Sequence, residues 1–263
     1  MTIQLHMDSH EGTYTKKFTA KVEASFPGIV ELDKTAFYHL GGGQPADNGK
    51  IVWDGGEATV KDVRKKNRIR HFIDGDSPEI GTLIEGELDW ERRYSHMRMH
   101  SSQHLVSAVV NEIHGSDTVG NQIGSNKSRI DFKPLSVDNE QMEEIQNLVN
   151  DYINEDLKIN ISEELRENLE NNSEIRSSMS SGLWKMLPSS VKKLRVITIG
   201  DIDVCPCAGT HVRSLKEIGE LKFTNKKNKG SQKLRLTLSL IHISEPTRLR
   251  RIWVCRVGGE KKR

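Results

Sequence analysis

The sequence predicts an α+β protein, in which a small N-terminal β-barrel precedes an α+β domain that holds a zinc site. Short β-rich runs fill the first 90 residues, and turns such as Asp54-Gly55-Gly56 separate them. Many short strands at this spacing are typical of a small barrel. Apolar residues then recur with a helical period. The predicted barrel strands are residues 17–22, 28–32, 50–53, 58–63, 69–72 and 83–88.

The second domain is predicted to contain two helices with apolar stripes. The first continues past His100 and stops within residues 111–115. The second has its stripe over residues 142–153, and either Ser136 or Asp138 can cap it. Residues 119–132, between the helices, are predicted to form a hairpin. Further strands are predicted at 159–161, 194–199, 218–223 and 233–238, an acidic solvated helix at 162–172, and a loop at 173–190 anchored by Trp184 and Leu187.

Composition excludes some functional classes and leaves others open. The chain has 263 residues, of which 35% are hydrophobic and 29% charged, as in soluble globular proteins. No apolar run approaches the roughly 18 residues that a membrane span needs, and the N-terminus does not read as a signal peptide. Three cysteines are too few for a disulfide framework. We therefore expect a cytoplasmic protein with no membrane partner.

Two distant segments carry residue types that bind metal ions. His100 and His104 are four residues apart, which places them on one face of a helix. Cys207 and His211 are also four apart, in a turn-rich segment. Isolated pairs at this spacing are more often surface or core residues, but the two pairs together make a tetrahedral zinc set. Cys205 is not expected to be a ligand, because Pro206 separates it from a site that Cys207 fills.

The glycine-rich segment Gly41-Gly-Gly-Gln-Pro45 lies in the middle of the predicted barrel. Consecutive glycines allow backbone to approach a ligand or another backbone closely. The loop either reaches the metal pocket or braces the contact between domains, and its glycines alone also fit a wide surface loop.

The C-terminal stretch does not fit the remainder of the chain. From Leu238 it reads Leu-Ser-Leu-Ile-His-Ile-Ser-Glu-Pro-Thr-Arg-Leu-Arg-Arg-Ile, which closely resembles the translation of a sequencing adapter. We therefore expect a barrel domain at 1–90, a metal domain at 91–238 and a foreign tail at 239–263. His242 and Cys255 are then not ligands. The alternative is an ordinary basic tail.

Five motifs, in the same order, resemble the AlaX family of alanyl-tRNA editing proteins, which are related to the editing domains of alanyl- and threonyl-tRNA synthetases. The resemblance covers residues 17–238, and the presence of the barrel matches the medium class of the family. Ala208 stands where the family usually has glycine, and His39 where it usually has proline. The motifs are the loop at 41–45, His100-x-x-x-His104, Gln122-x-Gly-Ser125, Ile130-Asp131 and Pro206-Cys-x-Gly-Thr-His-Val212.

The resemblance implies an ATP-independent hydrolase that removes a wrong amino acid from tRNA for alanine. Serine is the main expected error and glycine a second one. One zinc ion per chain is implied, with ligands His100, His104, Cys207 and His211. Four protein ligands would close the metal to substrate. Either Cys207 or His211 is therefore displaced, or the metal only positions the substrate.

Other residues are expected to contact the substrate or the tRNA. Gln122 and a pocket hydroxyl such as Thr210 are candidates for catalysis and for binding a serine hydroxyl. Basic residues would contact phosphates, whereas the net charge of +2 indicates neither RNA nor DNA, and we expect a monomer that does not bind DNA. The candidate contacts to substrate or tRNA are Gly42, Gly43, Gln44, Arg93, Arg98, Lys226 and Lys227, with Arg92 and Lys229 beside them and a further basic run, Arg64, Lys65, Lys66, Arg68 and Arg70, on the barrel.

Two alternatives belong to other functional classes. A zinc-stabilised RNA-binding module would bind tRNA and leave the ester intact. A zinc hydrolase of another substrate is the second alternative. Ser101 occupies the position beside His100 where metalloproteases of the His-Glu-x-x-His type carry their general base, which argues against a peptidase.

Overall fold

A computed structural model describes residues 2–171, 190–228 and 232–241. The predicted anchors Trp184 and Leu187, the basic residue Lys229 and the tail from residue 242 onward lie outside these ranges. Within the described residues, no helix is both long and apolar enough to cross a membrane.

The N-terminal half contains the predicted barrel. Strands β2, β3, β7, β6, β5 and β8 close on themselves in that order. Alternation along β2 sends Phe18, Ala20 and Val22 into the barrel core, as the two-residue period of a strand requires. The elements of this half are β1 (Ile3–Gln4), α1 (His10–Thr13), β2 (Lys17–Phe26), β3 (Ile29–Leu32), β4 (Lys34–Thr35), β5 (Gly49–Trp53), β6 (Gly56–Lys65), β7 (Ile69–Gly75) and β8 (Leu83–Leu88).

The second half has two long helices packed against a four-stranded antiparallel sheet, in the order β14-β15-β10-β9, and a separate three-stranded sheet, β11-β12-β13. Leu105, Val109, Ile130 and Leu236 are among the fully buried residues of its core. Its elements are α2 (Trp90–His114), β9 (Asp117–Gln122), β10 (Lys127–Lys133), α3 (Asn139–Glu155), β11 (Ile159–Leu165), α4 (Arg166–Glu170), β12 (Lys193–Ile199), β13 (Asp203–Pro206), a 3-10 turn (Leu215–Ile218), β14 (Glu220–Asn228) and β15 (Leu234–Ile241).

The predicted stop of the first long helix and the predicted cap of the second are both present, and Asp89, which was not predicted, caps the first. Asp89 caps α2, and Gly115 terminates it in a left-handed conformation. Asp138, rather than Ser136, caps α3 and forms a capping box with Gln141. These local signals place α2, and with it the histidine pair, directly after the last barrel strand.

The acidic helix predicted at 162–172 is largely wrong. Strand β11 continues to Leu165, and only Arg166–Glu170 is helical. All seven residues of β11 pair with β12, and these backbone hydrogen bonds outweigh the helical tendency of the glutamates. Likewise, the strand predicted to start at 218 starts at Glu220, after the 3-10 turn.

The last strand extends three residues into the adapter-like sequence. Ser239, Leu240 and Ile241 pair with β14, and Ser239 also pairs with Lys127 of β10. Leu240 packs against the core of the second half. Strand β15 therefore runs past the expected boundary at Leu238, because β14 pairs with it as far as Ile241 and β10 as far as Ser239.

A buried ion pair joins the two halves. Arg93, at the start of α2, is fully buried and forms a salt bridge with Asp47 of the barrel. Its guanidinium also donates to the carbonyl oxygen of Thr13, at 2.9 Å, and to that of Ala36. The Asp47 carboxylate accepts a further hydrogen bond, from the Tyr38 amide. The barrel is thus fixed against the helix that carries His100 and His104.

Candidate metal centre

The structure brings together the four residues that the sequence predicts as ligands. His100, His104, Cys207 and His211 each offer one ligand atom, and these atoms lie within 4.8 Å of one another. Cys207 Sγ is 3.6 Å from His100 Nε2 and 3.4 Å from His211 Nε2. The three histidines are at most 3% exposed, whereas Cys207 is only partly buried. The group could hold a metal ion, with its open side at Cys207.

Two elements position these side chains. Helix α2 presents His100 and His104 one turn apart, and the turn after β13 carries Cys207 and His211 across them. Gly209 lets this turn pass over the first histidine, since a Cβ there would lie 2.1 Å from His100 Cε1. No side chain fits at that position without displacing the ring or the turn.

Each histidine is oriented by a hydrogen bond on the opposite side of its ring. His104 Nδ1 lies 3.1 Å from Asp203 Oδ2, and His211 Nδ1 lies 3.1 Å from Ser101 Oγ. His100 Nδ1 lies 2.8 Å from Gln44 Oε1. Carboxylate and amide oxygens accept from Nδ1–H, and such contacts leave Nε2 with its lone pair free to bind a metal.

Gln44 reaches this site from the barrel. Its Oε1 accepts hydrogen bonds from the His100 ring and from the Thr210 amide, at 3.1 Å for the latter, and its Nε2 donates to Thr210 Oγ1 at 2.8 Å. The neighbouring Gly43 carbonyl accepts from the Ile123 amide at 2.8 Å. The glycine-rich loop therefore both approaches the metal site and braces the contact between the two halves.

Gly43 is required by this contact. Its φ is +81°, and a Cβ would lie 2.3 Å from Asn121 Oδ1. The sequence contains no signal for the partners of the loop, because Gln44 and His100 are 56 residues apart. Neither Ser101 nor Asp203 could be assigned from sequence patterns alone, although Ser101 lies inside the first histidine motif and Asp203 three residues before the Pro206–Val212 motif.

The electrostatics of the four residues suit a thiolate among neutral imidazoles. Burial opposes ionisation of Cys207, but His100, His104 and His211 hold the pKa of its thiol well below the usual value. Burial lowers the pKa of His100 and His211. Burial has the same effect on His104, but the neighbouring cysteines and Asp203 outweigh it and raise the pKa of that ring. Metal ligands must be deprotonated thiolates and neutral imidazoles, and the first three groups match this state.

A second group, His104, Asp203 and Cys205, also has its ligand atoms within 4.8 Å of one another. It shares His104 with the first group, and in it Asp203 already accepts from His104 Nδ1. The group of four is the better metal site because it has one more ligand and because each of its imidazoles is oriented from outside.

The other predicted site residues are placed differently. Thr210 is fully buried, and its hydroxyl accepts the hydrogen bond from Gln44. Gln122 is exposed at the end of β9, directly before Ile123, whose amide binds the Gly43 carbonyl. Gly42 lies in the same loop, with a φ of +57°.

Three of the four predicted phosphate contacts are already occupied by protein groups. Arg93 is buried in the ion pair with Asp47. Arg98 is 7% exposed and donates to the Ile218 carbonyl at 3.0 Å. Lys226 donates to the Val137 carbonyl at 3.0 Å and to Asn139 at 2.9 Å. Only Lys227 remains exposed on a surface. Arg93 and Arg98 were therefore wrong as RNA contacts, because their guanidinium groups satisfy buried backbone and side-chain acceptors.

Two segments of the chain match family models of tRNA synthetase domains. The model of the threonyl and alanyl tRNA synthetase second additional domain matches residues 194–237. A model of class II (A) tRNA synthetases matches residues 6–92. Both matched segments therefore resemble parts of tRNA synthetases.

Relatives that match most of the chain show which family it belongs to. The alanyl-tRNA editing protein AlaX-M of Methanosarcina barkeri is 35% identical over 236 residues, which are 87% of this chain and 96% of the relative. AlaX-L of Pyrococcus horikoshii is 35% identical over 82% of this chain and 52% of its own length. The alanine–tRNA ligase of Pyrobaculum calidifontis is 36% identical over 81% of this chain and 24% of its own length. The chain therefore belongs to the AlaX family of alanyl-tRNA editing proteins.

Proposed function

We propose that this protein is a trans-editing hydrolase, which cleaves the ester between a wrong amino acid and tRNA for alanine. The observation that carries the proposal is the convergence of His100, His104, Cys207 and His211 in a chain whose relatives are named as alanyl-tRNA editing proteins. Serine is the chief wrong amino acid in this proposal and glycine the second. The reaction takes place in the cytoplasm and uses no ATP.

The metal in this proposal is one zinc ion per chain. Tetrahedral zinc with Zn–N of about 2.0 Å and Zn–S of about 2.3 Å separates neighbouring ligand atoms by roughly 3.3–3.8 Å. The Cys207 Sγ to Nε2 distances of 3.6 Å and 3.4 Å fit this spacing. Zinc supplies a Lewis acid that polarises a carbonyl or lowers the pKa of a water.

Residues of the chain hold the three imidazole rings in a fixed orientation. Gln44, Ser101 and Asp203 hold the three imidazole rings, and Thr210 holds Gln44. We assign these four as positioning residues. Because Cys207 is the partly exposed member of the four, the ester would approach from its side. A bound zinc would be held by these four residues, and it would be open to substrate only if Cys207 or His211 left it; otherwise it would serve to orient the ester.

Gln122 is the candidate for direct contact with the substrate. It is exposed, and its neighbour Ile123 is bound to the loop whose Gln44 holds His100. Its amide can donate to an ester carbonyl or pair with the hydroxyl of serine. Alanine lacks that hydroxyl and, once the bound substrate covers the Gln122 amide, leaves it buried and unpaired, at a cost of about 1–3 kcal/mol, which is roughly a 5- to 150-fold difference in rate.

The test compares initial deacylation rates on tRNA for alanine carrying serine, glycine or alanine, with and without a chelator. We expect seryl-tRNA to react fastest, alanyl-tRNA slowest, and the chelator to abolish the reaction. Gln122→Ala is expected to reduce the preference for serine. Asn126→Ala, an exposed amide in the same turn, is the matched control. Equal rates for serine and alanine would refute the selectivity, and no hydrolysis of any substrate would favour a binding module.

A further inference from the structure

The outward side of the four-stranded sheet is strongly basic. Residues such as Leu234, Leu236 and Leu238 alternate into the core, so that the residues between them point away from the helices. We call this side the outer sheet face. Six of its cations are Lys127, Arg129, Lys222, Lys227, Lys233 and Arg235. A seventh, Lys133, is paired in register with Asp117.

Only two carboxylates of the described residues lie within 4.0 Å of these six cations. Asp131 is bound by Arg235 at 2.6 Å, by Lys233 at 3.5 Å and by Arg129 at 3.9 Å. Glu220 lies 3.6 Å from Lys222. In the part of the chain that the structure describes, Lys127 and Lys227 form no ion pair. The outer sheet face therefore carries an uncompensated positive charge.

Polar side chains lie between these cations. Across the strands, Arg129 is paired in register with Gln122 on one side and Thr237 on the other, and Thr237 is paired with Asn225. Neighbouring strands are about 4.8 Å apart, so that this row of four residues spans roughly 14 Å. A row of amides and hydroxyls beside positive charges suits the phosphates and sugars of a nucleic acid backbone.

The basic run on the barrel has a different environment. Arg64 pairs with Asp62 at 2.5 Å. Arg70 lies 3.0 Å from Glu31, and Arg68 lies 3.3 Å from Glu23 and 3.6 Å from Glu31. Its arginines are thus neutralised by carboxylates of the barrel itself. Of a run that looks equally basic in the sequence, only Lys65 and Lys66 lie outside these ion pairs in the described residues, so the run offers less uncompensated charge to a polyanion than the outer sheet face.

The outer sheet face also leads to the metal centre. Gln122, at its edge, precedes Ile123, whose amide binds the Gly43 carbonyl. The next residue of that loop, Gln44, holds His100. Gln122 therefore marks the edge at which the outer sheet face adjoins the loop that holds His100.

We propose that the outer sheet face binds the backbone of the tRNA acceptor arm and delivers the aminoacylated end to the metal centre. The inference rests on the proposed function for the identity of the RNA. The six cations contact phosphates, and Thr237 and Asn225 of the polar row contact sugars and phosphates, so that binding depends on RNA shape and charge more than on base sequence.

The test removes three charges from each of two surfaces. The sheet variant is Lys127→Gln/Lys222→Gln/Lys227→Gln. The matched control is Lys61→Gln/Lys65→Gln/Lys66→Gln, which removes three exposed lysines from the barrel. Affinity for uncharged tRNA is measured by fluorescence anisotropy between 50 and 200 mM salt, and each variant is also assayed for deacylation.

We expect the sheet variant to bind tRNA at least about tenfold more weakly and its salt dependence, as the slope of log K against log salt, to fall by about 2–3. Its KM should rise, with little change in kcat. The control should match the wild type. Equal weakening of both variants, or an unchanged sheet variant, overturns the proposal. Because uncharged tRNA is the ligand, this result stands even if the wild type hydrolyses no ester, which would refute only the proposed function.

Discussion

Two kinds of buried histidine in this molecule differ in what their second ring nitrogen does. His71, in the barrel, is fully buried, with Nδ1 3.2 Å from the Val30 carbonyl and Nε2 2.9 Å from Thr35 Oγ1. Both nitrogens are satisfied within the barrel. His100 and His211 use Nδ1 in the same way, but their Nε2 atoms point to the same thiol, Cys207 Sγ.

The difference teaches that burial does not identify a metal ligand. Burial lowers the pKa of His71 to about 4, and it lowers the pKa of His100 and His211 as well. Even helical spacing is insufficient, because His96 precedes His100 by four residues, as His100 precedes His104. His96 is buried too, and its Nε2 pairs with Ser125 Oγ at 3.1 Å. Convergence of Nε2 atoms on one thiol is the distinguishing feature.

The strongest test of this comparison is metal content. We expect His104→Ala to reduce zinc from about one ion per chain to well below one, because the site loses one of its four protein ligands. His96→Ala and Cys205→Ala should each retain a full equivalent, measured by elemental analysis of the purified proteins.

Loss of zinc in the His96 variant would show that helical spacing alone selects ligands. Loss in the Cys205 variant would move the metal to the group formed by His104, Asp203 and Cys205. In either case the contrast between the two kinds of histidine would need revision.

A weaker effect is expected when a ligand remains but its orienting partner is removed. Gln44→Ala deletes the acceptor for His100 Nδ1, and loss of such partners typically lowers metal affinity 10- to 100-fold. Competition with a chromophoric chelator measures this change. Gln4→Ala is the control, since this second barrel-side glutamine has no contact with the four ligands. An unchanged affinity would mean that the barrel does not orient the site.

The structural histidine should instead appear in the pH dependence of stability. The unfolded His71 has a pKa near 6.5, and burial lowers it to about 4 in the folded protein. The contribution of His71 to the free energy of unfolding is fully present above pH 6.5. It is lost as the pH falls towards 4, because the unfolded chain then binds a proton that the folded chain does not. Between pH 7.5 and 5 the loss is about 2 kcal/mol.

Urea unfolding of the wild type and of His71→Phe, at both pH values, measures this contribution. The variant should lack about 2 kcal/mol of the pH-dependent loss, whatever its stability at neutral pH. Identical pH dependence in the two proteins would show that His71 can be protonated in the folded barrel.

The smallest effect concerns the end of the chain and should leave both kinds of histidine untouched. Truncation after Ile241 is expected to preserve stability and zinc content. Truncation after Leu238 removes three paired residues of β15 and should cost about 1–3 kcal/mol of unfolding free energy. Chemical denaturation measures both changes. A large loss on truncation after Ile241 would show that the remaining tail belongs to the fold.

Sequence patterns alone were sufficient for the elements whose causes are local. Short β-rich runs separated by turns predicted the six barrel strands. The range 111–115 and the pair Ser136 or Asp138 marked helix ends, because capping depends on neighbours within a few residues. The resemblance to the AlaX family, carried by five short motifs, also named the four converging residues. The acidic segment at 162–172 failed because β12, far along the chain, supplied strand hydrogen bonds.

Tertiary structure decided which residues of similar chemistry are buried in structural contacts and which remain exposed for binding. Arg93 and Lys227 look alike in sequence, yet one is buried against Asp47 and the other is exposed on the outer sheet face. Gln44 became a partner of His100 only when the barrel docked on α2. Composition and spacing determine which chemistry is available, but desolvation and charge pairing depend on neighbours that are brought close only by the folded chain.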